Sequence, residues 1–183
     1  MTETTSDKQT QLREYLSLGF SPETMPPIVQ DTLVSNAEFV SLPPDSTLLQ
    51  QGTRAEQIYF VMSGHFQVFS QTREGREQQV GEITTRTWLG EMQVLLDSQA
   101  TATVRTSTSS SLACWKQGVL LELMETEPAL LTFFTSLVSQ RQYSNALKLT
   151  LTRHFPMFEE ELLEEMREAG EWRYLRFEDL SLK

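Results

Sequence analysis

The chain has a single cysteine, Cys114, in 183 residues. One thiol excludes an intrachain disulfide framework and any multi-cysteine metal site. It lies in Leu112-Ala113-Cys114-Trp115, a run that predicts a buried strand, so the thiol reads as structural. Histidine is almost as scarce. His65 and His154 are far apart, and neither has a second histidine at metal spacing. The ligand set of a cupin-type metal centre is therefore missing. Basic residues are few: 15 Lys and Arg stand against 25 Asp and Glu, for a net charge of −10. Contact with phosphate backbones needs clustered Lys and Arg, so the balance argues against nucleic acid and equally against an anionic membrane surface. No apolar run approaches the ~20 residues of a membrane span. Met1 to Gln11 is polar and carries Glu3 and Asp7, unlike a secretory or transit leader. The expectation is a cytoplasmic protein, or a cytosolic piece of something larger. There is no Gly-x-Ser-x-Gly elbow and no Gly-x-x-x-x-Gly-Lys loop. With one cysteine and two isolated histidines there is no nucleophile and base pair, so the chain reads as a non-enzyme.

What is present supports a core. Hydrophobic residues make up 39% of a length suited to one domain with an appendage. Thr5 to Leu18 reads as a helix stopped by Gly19. Ser21-Pro22-Glu23 reads as the start of another, with Pro26-Pro27 near its beginning. From Ala37 the period changes from helical to alternating. Strands are predicted over residues 38–42, 47–50, 57–62, 65–70 and 77–83, then at the approach to Trp88, from Thr101 to Ser107 and from Ser111 to Lys116. That is about eight short strands with frequent turn signals, the spacing of a sandwich, barrel or roll. The hairpin at 73–76 contributes a glycine turn. After Gly118 the period is helical again. Leu130, Phe133, Phe134, Leu137 and Val138 form a wide apolar stripe, and Ala146, Leu147, Leu149 and Leu151 resume it. The predicted fold is mainly β with flanking helices: a jelly-roll-like β roll, or double-stranded β-helix, of about eight strands with N- and C-terminal helices.

One stretch carries the chemistry. Trp88-Leu89-Gly90-Glu91 is followed by an apolar run at Met92, Val94, Leu95 and Leu96. Asp97-Ser98-Gln99 breaks the run before the next strand. Strand, glycine turn, helical turn, loop and strand together build an anion cradle, because free N–H groups at a helix start lie beside strand hydroxyls or a cation.

Four stretches in order resemble the cyclic-nucleotide-binding domain family over roughly Phe20 to Arg141. They are Leu48 to Gly52, Ile58 to Val68, Gly90 to Leu96 with Ala102 to Thr106, and Leu121, Leu123, Glu127, Pro128 and Leu130 with Arg141. The resemblance implies a cyclic nucleotide, cyclic AMP or cyclic GMP, as ligand class. It makes Gly90, Glu91, Met92, Ala100, Thr101, Ala102 and Arg86 the candidate pocket. In the family the glycine lets backbone approach the ligand and the glutamate accepts from a ribose hydroxyl. The amides of the short helix, an arginine and a small or hydroxyl residue hold the cyclic phosphate. Gly90, Glu91 and Thr101 match that pattern. The arginine position is Ala100, the proline before it is Gln99, and a glycine that often turns the chain ahead of the cassette is Arg86. Losing one partner of a buried charge pair costs about 2–5 kcal/mol. At about 1.4 kcal/mol per decade this is roughly 30- to 4,000-fold in affinity. If Val104 points into the roll, Arg105 points out, leaving Arg86 as the cation that could fold over the pocket. Apart from any ligand role, Glu91 also suits the start of a short helix, and Trp88 suits a core or lid aromatic as well as a base stack.

The expected organisation is an N-terminal helix or arm at 1–19, the ligand-binding-like domain at 20–152, and an acidic helix plus strand at 153–183. Spaced as Phe155 is from Phe20, Tyr174, Leu175 and Phe177 fall on Phe39, Val40 and Leu42. The tail thus reads either as the start of a truncated second repeat or as a helix and strand packed on the domain or on a partner. It does not read as a basic helix-turn-helix. The resulting expectation is a regulatory or interaction domain with weak or lost cyclic nucleotide binding. The alternatives are a working cyclic nucleotide or other small-ligand sensor within a larger signalling, transport or lipase protein, and a structural dimerisation module. Expected partners are a protein or fused effector and a second copy through the helix at 129–151.

Overall fold

The computed structural model describes residues 4–71 and 75–154, with the side chains of 4–71 and 75–142. The chain divides into two compact units, Met1–Val138 and Ser139–Lys183. In the second unit the description covers helical backbone as far as His154, with side chains as far as Gln142.

The first unit is a β roll with helices on one side. Its strands are β1 (Glu38–Leu42), β2 (Thr47–Leu49), β3 (Gln57–Ser63), β4 (Phe66–Gln71), β5 (Glu77–Ile83), β6 (Trp88–Leu89), β7 (Thr103–Thr106) and β8 (Ser110–Lys116). They pair antiparallel in two four-stranded sheets, in the orders β1-β8-β3-β6 and β2-β7-β4-β5. The helices are α1 (Thr5–Gly19), α2 (Pro27–Ser35), α3 (Glu91–Leu95), α4 (Gln117–Thr126) and α5 (Pro128–His154). The predicted jelly-roll-like fold is therefore the observed one.

Strand alternation divides the buried sheet residues between two cores. Between the sheets lie Leu49, Phe66 and Val104 from one and Val61, Leu89 and Leu112 from the other. The outer face of the first sheet puts Ile58, Phe60, Met62, Trp88, Ala113 and Trp115 against the helices. β3 is thus buried on both faces, which is why its sequence is nearly all apolar. The helices contribute Leu12 and Leu16 of α1, Val29 and Leu33 of α2, Leu120 and Met124 of α4, and Leu130, Phe133 and Phe134 of α5. Full burial of each such side chain is worth about 1.5–3 kcal/mol. Trp88 is the hub of this core. Its ring centroid lies 4.9 Å from Phe60, 5.3 Å from Trp115, 5.9 Å from Phe133 and 5.2 Å from Phe134.

Local chemistry fixes the helix ends. A capping box starts α1: the Thr4 hydroxyl accepts from the Asp7 amide, and the Asp7 carboxylate accepts from the Thr4 amide. Those bonds hold the Asp7 carboxyl below its ordinary pKa. The second helix begins at Pro27, with Pro26 as its cap, so the Ser21-Pro22-Glu23 start is not helical and the Pro26-Pro27 pair marks the beginning. Proline suits the first helical position, where no amide donor is needed. At the other end of α2, the indole N–H of Trp115 donates to the Leu33 carbonyl at 2.9 Å. Leu33 belongs to the last turn, whose carbonyls lack helical partners. Trp115→Phe keeps most of the ring volume and removes that donor. Urea unfolding of the variant is expected to show a loss of about 1–3 kcal/mol, the penalty for a buried acceptor left alone.

Several strand boundaries differ from expectation, most by a single residue. β7 begins at Thr103, and Thr101 lies exposed in a bend before it. His65 is exposed in the turn ahead of β4 rather than in the strand. β2 ends at Leu49, before the loop that meets the cassette. β5 is the outermost strand of its sheet and pairs only with β4. Its register skips Val80, which lies between Gln79, opposite Phe69, and Gly81, opposite Val68. The hairpin tip at 73–74 and the acidic helix and strand predicted beyond His154 lie outside the described residues.

Candidate functional site

The cassette begins where β6 meets α3. Gly90 caps the helix with φ +83°, in the left-handed region. A Cβ at this position would lie 2.6 Å from the Gln57 carbonyl oxygen at the start of β3. Only glycine provides both the conformation and the clearance. α3 is five residues long. The Val94 amide donates to the Gly90 carbonyl at 3.1 Å, the Leu96 amide to Met92 at 3.0 Å and the Ser98 amide to Gln93 at 3.0 Å. Glu91 opens this turn and is 1% exposed, while Met92 is half-buried.

The loop after α3 turns at Asp97, φ +47°, and is laid against the loop following β2. The Ala100 amide donates to the Thr53 carbonyl at 2.8 Å, and the Gly52 amide donates to the Ala100 carbonyl at 2.9 Å. Arg54 and Gln99 form an isolated antiparallel bridge. The Arg54 guanidinium donates to the Asp97 carboxylate at 2.5 Å. Ala100 itself is buried. Ala102 is half-buried, and the buried Thr103 hydroxyl accepts from the Gln51 amide at 3.0 Å.

Three described arginines, Arg54, Arg86 and Arg105, each have a partner. Val104 points into the roll and Arg105 out of it, as strand alternation predicts. Arg105 donates to both Glu77 carboxylate oxygens, at 2.7 and 2.8 Å, and its guanidinium lies 5.0 Å from the Phe69 ring centre. Bonding to Glu77 raises its already high pKa. Arg86 adopts φ +66°, the left-handed conformation that explains why a glycine suits this place. Its guanidinium lies 5.4 Å from the ring centre of Tyr15 in α1. Tyr15 packs on the helix-side core, so Arg86 is turned toward the N-terminal helix. Trp88 is a core aromatic, 1% exposed.

The structure therefore places Gly90, Glu91 and Met92 on one turn and Ala100, Thr101 and Ala102 on the loop that returns from it, and it sets the Arg86 guanidinium over Tyr15 of α1. Sequence reasoning missed Thr53, Arg54 and Asp97. The facing loops are far apart in the chain, and neither contains a periodic signal. Tyr59, beside Leu89 in the sheet, has its phenol pKa raised by burial, then by Cys114 and Glu56. Burial, then Glu38, pushes the Cys114 thiol up as well, so both groups stay protonated and inert near neutrality.

Comparison with known proteins agrees with this architecture. The family model described as "Cyclic nucleotide-binding domain" matches residues 39–127. The potassium channel AKT2 of Oryza sativa subsp. japonica is 31% identical over 87 residues, covering 48% of this chain and 10% of the channel. The cAMP-activated global transcriptional regulator CRP of Haemophilus influenzae is 24% identical over 146 residues, covering 79% of this chain and 65% of the regulator. The chain thus spans less than two thirds of the length of either relative. Among solved structures, the Thermus thermophilus catabolite activator protein superposes with a TM-score of 0.62 at 22% identity, over 76% of this chain and 62% of that one. The regulatory domain of Toxoplasma gondii PKA with cAMP gives 0.64 at 13% identity, over 75% and 51%.

Proposed function

We propose, for a chain whose β roll is a domain of the cyclic nucleotide-binding family, that it serves as a regulatory or interaction module in which cyclic nucleotide binding is weak or lost. The observation that carries this reading is Ala100. It stands at the family's phosphate-arginine position, and the nearby Arg54, Arg86 and Arg105 each face another partner. The buried Glu91 stands at the family's ribose position, but a cyclic phosphate beside a carboxylate needs a cation to offset the repulsion. A rice channel and an Aspergillus terreus lysophospholipase, of which the match covers 10% and 7%, contain a related segment within much longer chains. This supports a fused effector or a protein partner as the recipient of the signal. A cytoplasmic location and self-association through 129–151 complete the proposal.

Calorimetry with cyclic AMP, cyclic GMP and cyclic dinucleotides tests it. The expected result is no dissociation constant below about 10 μM, roughly −7 kcal/mol. Tighter binding of any of them would overturn the reading in favour of a working sensor.

A further inference from the structure

We propose that the loop Gln50–Ala55 is a built-in clasp that holds the cassette loop Asp97–Ala100 closed by contacts within the protein. The proposal deepens the reading above, on which it rests for the loss of the cation at Ala100. The clasp has three layers. Innermost are the reciprocal backbone bonds of Ala100 with Gly52 and Thr53, at 2.9 and 2.8 Å. Next is the antiparallel bridge of Arg54 with Gln99. Outermost is the ion pair of Arg54 with Asp97.

The geometry assigns Arg54 to the loop and not to the cradle. Residues opposite each other in an antiparallel bridge put their side chains on the same side, and the next residue points the other way. Arg54 and Gln99 therefore share one side and Ala100 takes the opposite one. The exposures agree: Ala100 is 4% exposed, while the Arg54 and Asp97 side chains are 66% and 70% exposed. Both loops also turn through left-handed residues, Gly52 at φ +82° and Asp97 at φ +47°, which aim the two strands of the clasp at each other. A pair so exposed contributes little to global stability and is screened by salt. Its effect falls on local opening of the cassette loop, where small free energies are visible as exchange rates.

Amide hydrogen exchange read by mass spectrometry on the full chain, without nucleotide, tests this. Arg54→Ala and Asp97→Asn each remove the pair, and asparagine keeps a residue that tolerates the left-handed turn. Peptides containing Asp97–Ala100 are expected to exchange about three- to fivefold faster in each variant, with the strands unchanged. The double variant is expected to exchange no faster than either single one, because both remove the same contact. Single variants that exchange like the parent, or a double variant whose effect is the product of the two, would overturn the clasp. Tight nucleotide binding in calorimetry would overturn the earlier reading instead, and the ligand-free comparison would still decide the clasp.

Discussion

Ala100→Arg is expected to tighten the affinity for cyclic AMP by at least about 30-fold, the lower end of what a buried charge partner contributes. The remaining cassette is in place: Gly90 in its left-handed turn, Glu91 at the start of α3, and the return loop through Thr101. Position 100 is buried, so the new guanidinium has no solvent to stabilise it in the free protein. An uncompensated buried charge costs about 3–5 kcal/mol. The free variant should melt lower than the parent and recover when cyclic AMP is added. Ala100→Lys should lie between the two, since a point charge cannot form the guanidinium fork on a phosphate. Calorimetry and thermal melting, each with and without nucleotide, measure both effects. A folded arginine variant that binds cyclic AMP no better than the parent would overturn position 100 as the determinant of binding.

Gly90→Ala is expected to destabilise the fold by about 2–5 kcal/mol, combining the left-handed penalty of an L residue with overpacking. The Cβ would meet the Gln57 carbonyl at 2.6 Å, and that oxygen belongs to backbone and cannot swing away as a side chain would. At about 2–4 °C per kcal/mol for a chain of this size, the melting midpoint should fall by roughly 5–20 °C. Gly118→Ala is the control. That glycine has open space around it, no positive φ, and a place in the first turn of α4. Its substitution should hold or slightly raise stability. Equal melting of the two variants would mean that the β6–α3 junction moves freely off β3.

The scaffold was legible because burial writes itself into strand alternation. Ile58 to Met62 is apolar at every position, and the fold buries both faces of β3. Val104 and Arg105 were assigned to opposite sides correctly for the same reason. Phe133 and Phe134 could be read from the helical stripe. The site was legible only as far as it is local in sequence: Gly90, Glu91 and the short helix form one continuous run. The start of β7 was placed early because Thr101-Ala102 alternates like a strand, while its backbone is bent to meet the Gly52–Arg54 loop. The contact of Arg86 with Tyr15 was not legible, because position in the chain says nothing of which way a turn presents its side chain. Tyr15 lies in the helix read at the N-terminus, far from Arg86 in the chain. The pairing of Arg54 with Asp97 depends on two loops converging, and no single stretch of sequence records it.

The skipped register at Val80 bears on how the chain behaves when crowded. A seven-residue strand with an open edge ordinarily templates a further strand, and identical chains could then stack sheet on sheet. Here the extra residue bends β5 and breaks the regular spacing of donors and acceptors that a second chain would have to match. Glu82 adds negative charge near one end of the strand, while Glu77 at the other is paired with Arg105, so the irregular register is the main obstacle. Concentrated solutions of the chain should therefore resist assembly through this edge.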